Sequence, residues 1–145
     1  MKKFVSTLLV FTLMLVFSTS AFAAKGVGDT MESAINLDPG ASYTLFIQDS
    51  TDKDWYKWTN NTGKIKRFES VLNGNDGDNR NFRFGFIIKY SNGISSKFHY
   101  TNHYPGPSQI LGNLYIPEGA TVYLSVERVV DTVAQYTISL YAYDN

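Results

Sequence analysis

The sequence of 145 residues contains no cysteine and only two histidines. Without cysteine no disulfide can stabilise the protein, so the fold must depend on burial of apolar side chains, with a bound metal as a further source of stability. Lysine and arginine together number 13, as do aspartate and glutamate. This balance argues against a nucleic-acid-binding protein, which needs a basic surface to neutralise phosphates.

Signals for catalysis are also few. The sequence has no Gly-x-Ser-x-Gly motif and no cysteine nucleophile. His99 and His103 are four positions apart, but they lie in a strand that runs into a proline-containing loop, without a His-Glu-x-x-His motif. A carboxylate pair for glycoside hydrolysis stays open among Glu69, Glu118 and Glu127, whose separations the sequence does not give. We therefore predict a protein that is not an enzyme, with a small secreted hydrolase as an alternative.

Long apolar stretches are lacking except in the first 23 residues, which have the three parts of a secretory signal. Two lysines precede an apolar run from Phe4 to Phe17, and a small-residue stretch follows that ends at Ala23. The run is shorter than the ~20 residues that a membrane-spanning helix needs. We expect cleavage after Ala23 and a bacterial exoprotein that is extracellular or bound to the cell wall, with no membrane contact after cleavage.

The remaining residues suit a single domain. Residues 24–36 are predicted to form a leader with a short helical turn over Thr30–Asn36, and residues 37–145 an all-β domain. Short segments of alternating or β-prone residues are separated by turn-forming sequences. Their spacing predicts a single jelly-roll-like β-sandwich of about eight antiparallel strands. The predicted strands are Ser42–Gln48, Asp54–Thr59, Ile65–Leu72, Asn81–Tyr90, Ser95–Tyr100, Gln109–Ile116, Thr121–Arg128 and Gln135–Tyr143.

The same alternation predicts which side chains form the core. Residues at every second position of a strand share one face of the sheet. The apolar positions of this kind are Tyr56, Trp58, Phe82, Phe84, Phe86, Ile88, Tyr90, Val122, Leu124, Val126, Tyr136, Ile138 and Leu140.

Three parts of the chain carry a resemblance to a known family. They are Asp29–Ala34, the acidic and aromatic strand Asp52–Trp58, and the closing pair Val122–Val126 and Gln135–Leu140. In order and spacing they resemble the bacterial pre-peptidase C-terminal domain, a β-sandwich related to the collagen-binding segments of clostridial collagenases. The resemblance implies a non-catalytic accessory domain, sometimes calcium-binding, that keeps a secreted enzyme soluble or engages its substrate. The chain departs from the calcium-binding relatives at Gly26–Gly28, where they have an acidic linker.

Acidic residues gather before the aromatic strand. Asp49, Asp52 and Asp54 lie within six positions, and calcium prefers several oxygen ligands. Asp29 or Glu32 could complete the set if the leader folds back across the start of the strand, as the family resemblance would allow. The alternative is a solvated turn in which Asp52 or Asp54 caps backbone amides. The sequence therefore predicts no required cofactor and a structural calcium ion at Asp29, Asp52 and Asp54 as the candidate metal site.

Aromatic residues and both histidines lie together in one later segment. Phe98, His99, Tyr100, His103 and Tyr104 precede a Pro-Gly-Pro sequence. Aromatic side chains offer a rigid surface that stacks against sugar rings or proline-rich chains. The alternative is that they only cover one end of the sandwich. We predict that these five residues bind an extracellular polysaccharide or protein, helped by exposed tyrosines such as Tyr141 and Tyr143.

The predicted function is thus a secreted, monomeric, non-catalytic binding module. An inhibitor or toxin that binds one protein partner is an alternative. Several basic residues between positions 64 and 97 also fall on alternating strands. They would give a mildly positive face suited to anionic wall polymers, or an ordinary solvated face.

Overall fold

The computed structural model describes residues 27–75, 79–102 and 106–144. In these ranges the chain forms nine strands and one 3-10 turn at Asn79–Asn81, and no helix suited to crossing a membrane. The predicted all-β class is confirmed, whereas the predicted signal peptide lies outside the described residues. The strands are β1 (Ile35–Asn36), β2 (Ser42–Ile47), β3 (Lys53–Thr59), β4 (Lys66–Gly74), β5 (Phe82–Lys89), β6 (His99–Tyr100), β7 (Ser108–Ile116), β8 (Thr121–Arg128) and β9 (Ala134–Asp144).

The strands form two sheets that pack as a β-sandwich. One sheet has five strands in the order β1-β3-β8-β5-β6, and the other has four in the order β2-β9-β4-β7. Every pairing is antiparallel except that of β1 with β3. Strands β2 to β9 correspond to the eight predicted strands, although β6 keeps only the last two residues of Ser95–Tyr100.

The predicted helical turn at Thr30–Asn36 is present only as one turn that ends before Ile35. The Ala34 amide donates to the Met31 carbonyl at 3.4 Å, and the Ser33 amide donates to the capping Thr30 Oγ1 at 3.2 Å. The chain then enters β1, which pairs in parallel with the middle of β3. Pairing with a sheet edge outweighs the weak helical preference of this short segment.

The predicted core is confirmed at most of its positions. Most of the predicted side chains are buried between the sheets, whereas Phe86 and Tyr90 are half-buried and pack against them. The buried ones are Tyr56, Trp58, Phe82, Phe84, Ile88, Val122, Leu124, Val126, Tyr136, Ile138 and Leu140. Trp55 points to the opposite face of β3 and yet is also buried. Its burial shows that the outer face of the five-stranded sheet is partly covered.

Phe98 provides that cover by lying in the space left by a glycine. A Cβ atom at Gly85 would lie 2.3 Å from Phe98 Cζ and 2.9 Å from Ser125 Oγ. The Phe98 ring also meets the Trp55 ring edge-on, with centroids 6.0 Å apart, and the Tyr100 ring at 4.9 Å. The segment between β5 and β7 is therefore packed onto the sheet by one aromatic side chain.

We predict that Gly85→Ala destabilises the protein by about 1–3 kcal/mol, because the new methyl group overlaps the Phe98 ring. Urea unfolding followed by far-UV circular dichroism measures the change. Gly112→Ala is the matched control, since its Cβ would meet nothing nearer than 3.7 Å. An equal loss of stability in the two variants would contradict the packing role of Gly85.

Candidate functional site

Three carboxylates converge at one end of the sandwich. One oxygen from each of Asp29, Asp52 and Asp54 lies within 4.8 Å of the others. These are the three residues predicted as metal ligands, so the structure brings the predicted set together. Asp49 is not one of the three, and it instead accepts hydrogen bonds from the Thr51 amide at 2.8 Å and the Thr51 hydroxyl at 2.6 Å.

A glycine in the leader brings Asp29 to the other two. The Trp55 amide donates to the Gly28 carbonyl at 2.6 Å, which holds the leader against β3. Gly28 has a φ of +84°, and a Cβ there would lie 3.1 Å from the Trp55 carbonyl oxygen. Glycine is thus required by both the backbone conformation and the close approach. The leader of this chain thus folds back across the start of β3, as the family resemblance allows.

Two buried tyrosines continue the acidic cluster into the core. The Tyr136 hydroxyl donates to Asp54 Oδ2, and the Tyr56 and Tyr136 hydroxyls are hydrogen-bonded to each other. Burial raises the pKa of Asp54 to about 7; the hydrogen bond from Tyr136 opposes this rise, and the charges of Asp52 and Asp29 add to it. Burial likewise raises the pKa of Tyr56 and of Tyr136, so both hydroxyls keep their protons.

This arrangement suits a hard cation. Carboxylate oxygens are the ligands that calcium prefers, and a bound cation would offset the repulsion between carboxylates this close together. Asp52 is already oriented, because its Oδ2 accepts a hydrogen bond from the Gln48 amide at 2.8 Å. Three carboxylates supply only part of the six to eight oxygens of a calcium site, so backbone carbonyls or water would supply the rest.

The predicted ligand-binding segment divides between two faces. Phe98 and Tyr100 lie on the outer face of the five-stranded sheet, whereas His99 pairs with Phe86 and stacks on its ring on the opposite face. Tyr100 is 47% exposed, and its hydroxyl donates to Glu127 at 3.1 Å. Phe98 is half-buried by its packing on the sheet. The other two predicted residues, His103 and Tyr104, lie outside the described residues.

The three glutamates considered for hydrolysis occupy different surfaces. Glu127 is on the outer face of the five-stranded sheet, where it pairs with Lys53 Nζ at 2.5 Å. Glu69 is on β4 in the other sheet, and Glu118 accepts a hydrogen bond from the Gly63 amide at 2.7 Å in a turn. None of these three residues therefore faces another across a shared cleft.

The outer face of the four-stranded sheet carries an aromatic surface that sequence reasoning identified only in part. Arg67 on β4 pairs with Tyr143 on β9 and with Tyr115 on β7, so the three side chains form one row across the sheet. Tyr141 lies in the next row and stacks on Tyr143, with ring centroids 6.2 Å apart and planes 13° apart. We call Arg67, Tyr115, Tyr141 and Tyr143 the tyrosine face.

The tyrosine face is open to solvent. Tyr115 is 55% exposed and Tyr143 is 39% exposed. The Arg67 guanidinium carbon lies 4.5 Å from the Tyr143 ring centroid, which holds the ring in place by a cation–π contact. Tyr141 and Tyr143 were expected to contribute to binding, whereas Tyr115 and Arg67 were not singled out for this surface. Only the pairing of β4 with β7 and β9 reveals the row.

Rows of hydroxyl groups extend this surface along the sheet. Ser42 and Ser139 are hydrogen-bonded across β2 and β9 at 2.7 Å, and Thr44 and Thr137 at 3.0 Å. The face therefore combines flat aromatic rings with small polar groups. Such a surface can stack on a ligand ring and exchange hydrogen bonds with hydroxyl groups of the ligand.

The raised pKa of Asp54 predicts a pH dependence of stability. In the folded state Asp54 keeps its proton up to about pH 7, whereas the ordinary pKa of an aspartate is 3.8. Between these two pH values the folded state therefore binds more protons than the unfolded state. The contribution of Asp54 to the free energy of unfolding should thus fall as pH rises from about 4 to about 7, by up to ~1.4 kcal/mol per pH unit.

Urea unfolding of the protein and of Asp54→Asn, in the presence of a chelator, measures this contribution. The stability of the protein relative to the variant should decrease as pH rises through that window. A difference that does not change with pH would contradict the buried, protonated carboxyl.

Comparison with solved structures supports the fold. The pre-peptidase C-terminal domain of collagenase from Bacillus anthracis has a TM-score of 0.54 at 14% identity, covering 74% of this chain and 93% of that chain. The Yersinia pseudotuberculosis-derived mitogen has a TM-score of 0.49 at 14% identity, covering 72% and 86%. TmCBM61, solved in complex with β-1,4-galactotriose, has a TM-score of 0.43 at 13% identity, covering 72% and 70%.

No family model and no curated protein matches the chain. At this identity the likeness to the collagenase domain shows the fold alone. The likeness nevertheless agrees with the three sequence segments that carry the family resemblance. The chain therefore has the fold of a pre-peptidase C-terminal domain.

Proposed function

We propose that the protein is a secreted, non-catalytic binding module that attaches to an extracellular polysaccharide through the tyrosine face. The observation that carries the proposal is the row of Tyr143, Arg67 and Tyr115 on an exposed sheet. Neighbouring strands lie about 4.8 Å apart, so the backbones of the two tyrosines, two strands apart, are roughly 10 Å apart. A disaccharide unit spans a distance of this order.

The arrangement of the face suits a polysaccharide. Tyr143, Arg67 and Tyr115 lie in one row across the sheet. The hydroxyl groups of Ser42, Thr44 and Thr137 lie further along the same face of the sheet. A chain of sugar rings offers both the apolar ring faces and the hydroxyl groups that such a surface can match.

Of the segment predicted to bind ligand, Tyr100 is the described residue whose side chain is best placed for contact. It is exposed, whereas Phe98 packs onto the sheet and His99 lies on the other face. We therefore assign the main contact to the tyrosine face and a secondary one to Tyr100. The module is expected to act as a monomer outside the cell.

We predict that the double variant Tyr115→Ala/Tyr143→Ala loses most of its retention on polysaccharide, because each stacked ring is worth about 1 kcal/mol or more. Affinity electrophoresis in gels that contain a panel of neutral plant and bacterial polysaccharides measures retention. Ile94→Ala is the control, because Ile94 is an exposed apolar residue outside this face.

Thermal unfolding of each variant shows whether the fold is retained. Unchanged retention of the double variant would refute the tyrosine face as the binding surface. A one-to-one complex with a protein from the medium, without retention by any polysaccharide, would favour the inhibitor or toxin alternative.

We further propose that Asp29, Asp52 and Asp54 hold a structural calcium ion. The supporting observation is the convergence of the leader and the start of β3 on one group of carboxylate oxygens. An ion there would tie the leader to the sandwich without touching the tyrosine face. Because it would bind only the folded state, it would stabilise that state by mass action.

We predict that millimolar calcium raises the melting temperature of the protein, that a chelator reverses the rise, and that magnesium does not replace calcium. Asp52→Asn should abolish the calcium-dependent rise while keeping an oxygen that accepts the Gln48 amide. Asp49→Asn is the matched control and should keep the rise, since Asp49 is outside the converging set. A melting temperature indifferent to calcium and chelator would remove the calcium proposal.

A further inference from the structure

A cleft lies at the edge of the sandwich where β5 and β6 approach the start of β7. Its volume is about 380 Å³. The polar and aromatic residues that line it include Arg80, Arg83, Tyr100, Thr101 and Gln109. This volume is within the range of sites that bind small molecules, roughly 300–1,000 Å³. The cleft is distinct from the tyrosine face and from the carboxylates.

Arg83 gives the cleft a positive charge that its neighbours leave available. Glu127 is the residue directly across from it on β8, but Glu127 pairs with Lys53 Nζ at 2.5 Å. The Arg83 guanidinium carbon lies 5.8 Å from the Tyr100 ring centroid. Within the described ranges, Arg83 has no ion pair with an acidic residue. The Arg83 side chain is also hydrogen-bonded to Tyr100, whose hydroxyl donates to Glu127. Because a guanidinium has five N–H donors, Arg83 keeps donors for an anion beside the aromatic ring.

A second, buried arginine lies beside Phe82, one of the residues that line the cleft. Arg128 is only 6% exposed, and its Nε and Nη1 atoms have no hydrogen-bond partner. Its guanidinium carbon lies 5.1 Å from the ring of Phe82, a residue that also lines the cleft. A charge in a poorly solvated position acts more strongly on its surroundings than one in water. A bound anion would offset part of the cost of this buried cation.

The remaining lining groups are polar and held in place. The Thr101 hydroxyl donates to Gln109 Oε1 at 2.9 Å, and Gln109 Nε2 donates to the Phe82 carbonyl at 2.8 Å. The Thr101 oxygen still has acceptor capacity toward a ligand hydroxyl. The cleft thus offers a guanidinium fork, an aromatic ring and a fixed hydroxyl within one small volume.

We propose that this cleft binds a hexuronate residue of an acidic polysaccharide. The carboxylate pairs with the Arg83 guanidinium, whose planar fork matches a carboxylate. The sugar ring lies against Tyr100, and a ring hydroxyl bonds to Thr101. This inference rests on the proposed function and adds the chemical class of the ligand. A uronate-containing polymer would be recognised through its carboxylate in the cleft and through its sugar rings on the tyrosine face.

The test compares polygalacturonate with its methyl-esterified form, in which each carboxylate is replaced by a neutral ester on the same sugar backbone. Isothermal titration calorimetry at low and high salt measures binding to the protein, to Arg83→Gln and to Lys97→Gln. Lys97 is the matched control, because it is an exposed cation that does not line the cleft. We expect the protein to prefer the charged polymer, and Arg83→Gln to bind it about tenfold or more weakly and lose the preference. Lys97→Gln should keep both.

Four results would overturn the inference. They are binding of neither polymer, equal binding of the two polymers by the protein, equal losses in the two variants, or binding of poly(glycerol phosphate) as tight as that of polygalacturonate. Failure of the proposed function has a different signature. In that case no polysaccharide of the panel retains the protein, or Tyr115→Ala/Tyr143→Ala is retained as well as the unaltered protein.

Discussion

The hydrogen bonds among Asp54, Tyr136 and Tyr56 join the two sheets at the end of the sandwich where the carboxylates converge. Asp54 and Tyr56 belong to β3 of one sheet, and Tyr136 belongs to β9 of the other. A carboxyl group buried this deeply must be hydrogen-bonded and either neutral or paired with a cation, because an unpaired buried charge is too costly. This requirement holds β3 and β9 in one relative position at the end of the sandwich where the Gly28 contact brings Asp29 to Asp52 and Asp54.

Alternation along the strands then decides which side chains face outward. The outer face of one sheet is partly covered by the chain itself, whereas the outer face of the other sheet is exposed. On the five-stranded sheet the chain covers its own surface, since Phe98 fills the space above Gly85 between Trp55 and Tyr100. On the four-stranded sheet, Tyr115 and Tyr143 stay exposed on either side of Arg67. The fold therefore separates the acidic end of the sandwich from the open aromatic face.

Period-two patterns predicted the fold class, the eight main strands and most of the core, because side-chain alternation in strands is a local property of the chain. Local pattern did not predict β1, whose two residues form a strand only by pairing with β3. The family resemblance predicted that Asp29 could join the acidic cluster. Proximity in the sequence alone predicted Asp49 together with Asp52 and Asp54, and Asp49 lies outside the cluster. The row through Tyr115 depends on the register of three strands, which no single segment encodes. The predicted ligand segment divided for the same reason, as β6 sends His99 and Tyr100 to opposite faces.

We propose that a polysaccharide binds on the open face of the four-stranded sheet. Nuclear magnetic resonance of the isotope-labelled protein can locate the binding surface, by titration with a neutral oligosaccharide cut from a polymer that retains the protein. We expect the largest changes in the amide signals of Arg67, Tyr115, Tyr141 and Tyr143 and in the ring signals of the three tyrosines. Changes confined to other surfaces, with these four residues unaffected, would contradict it.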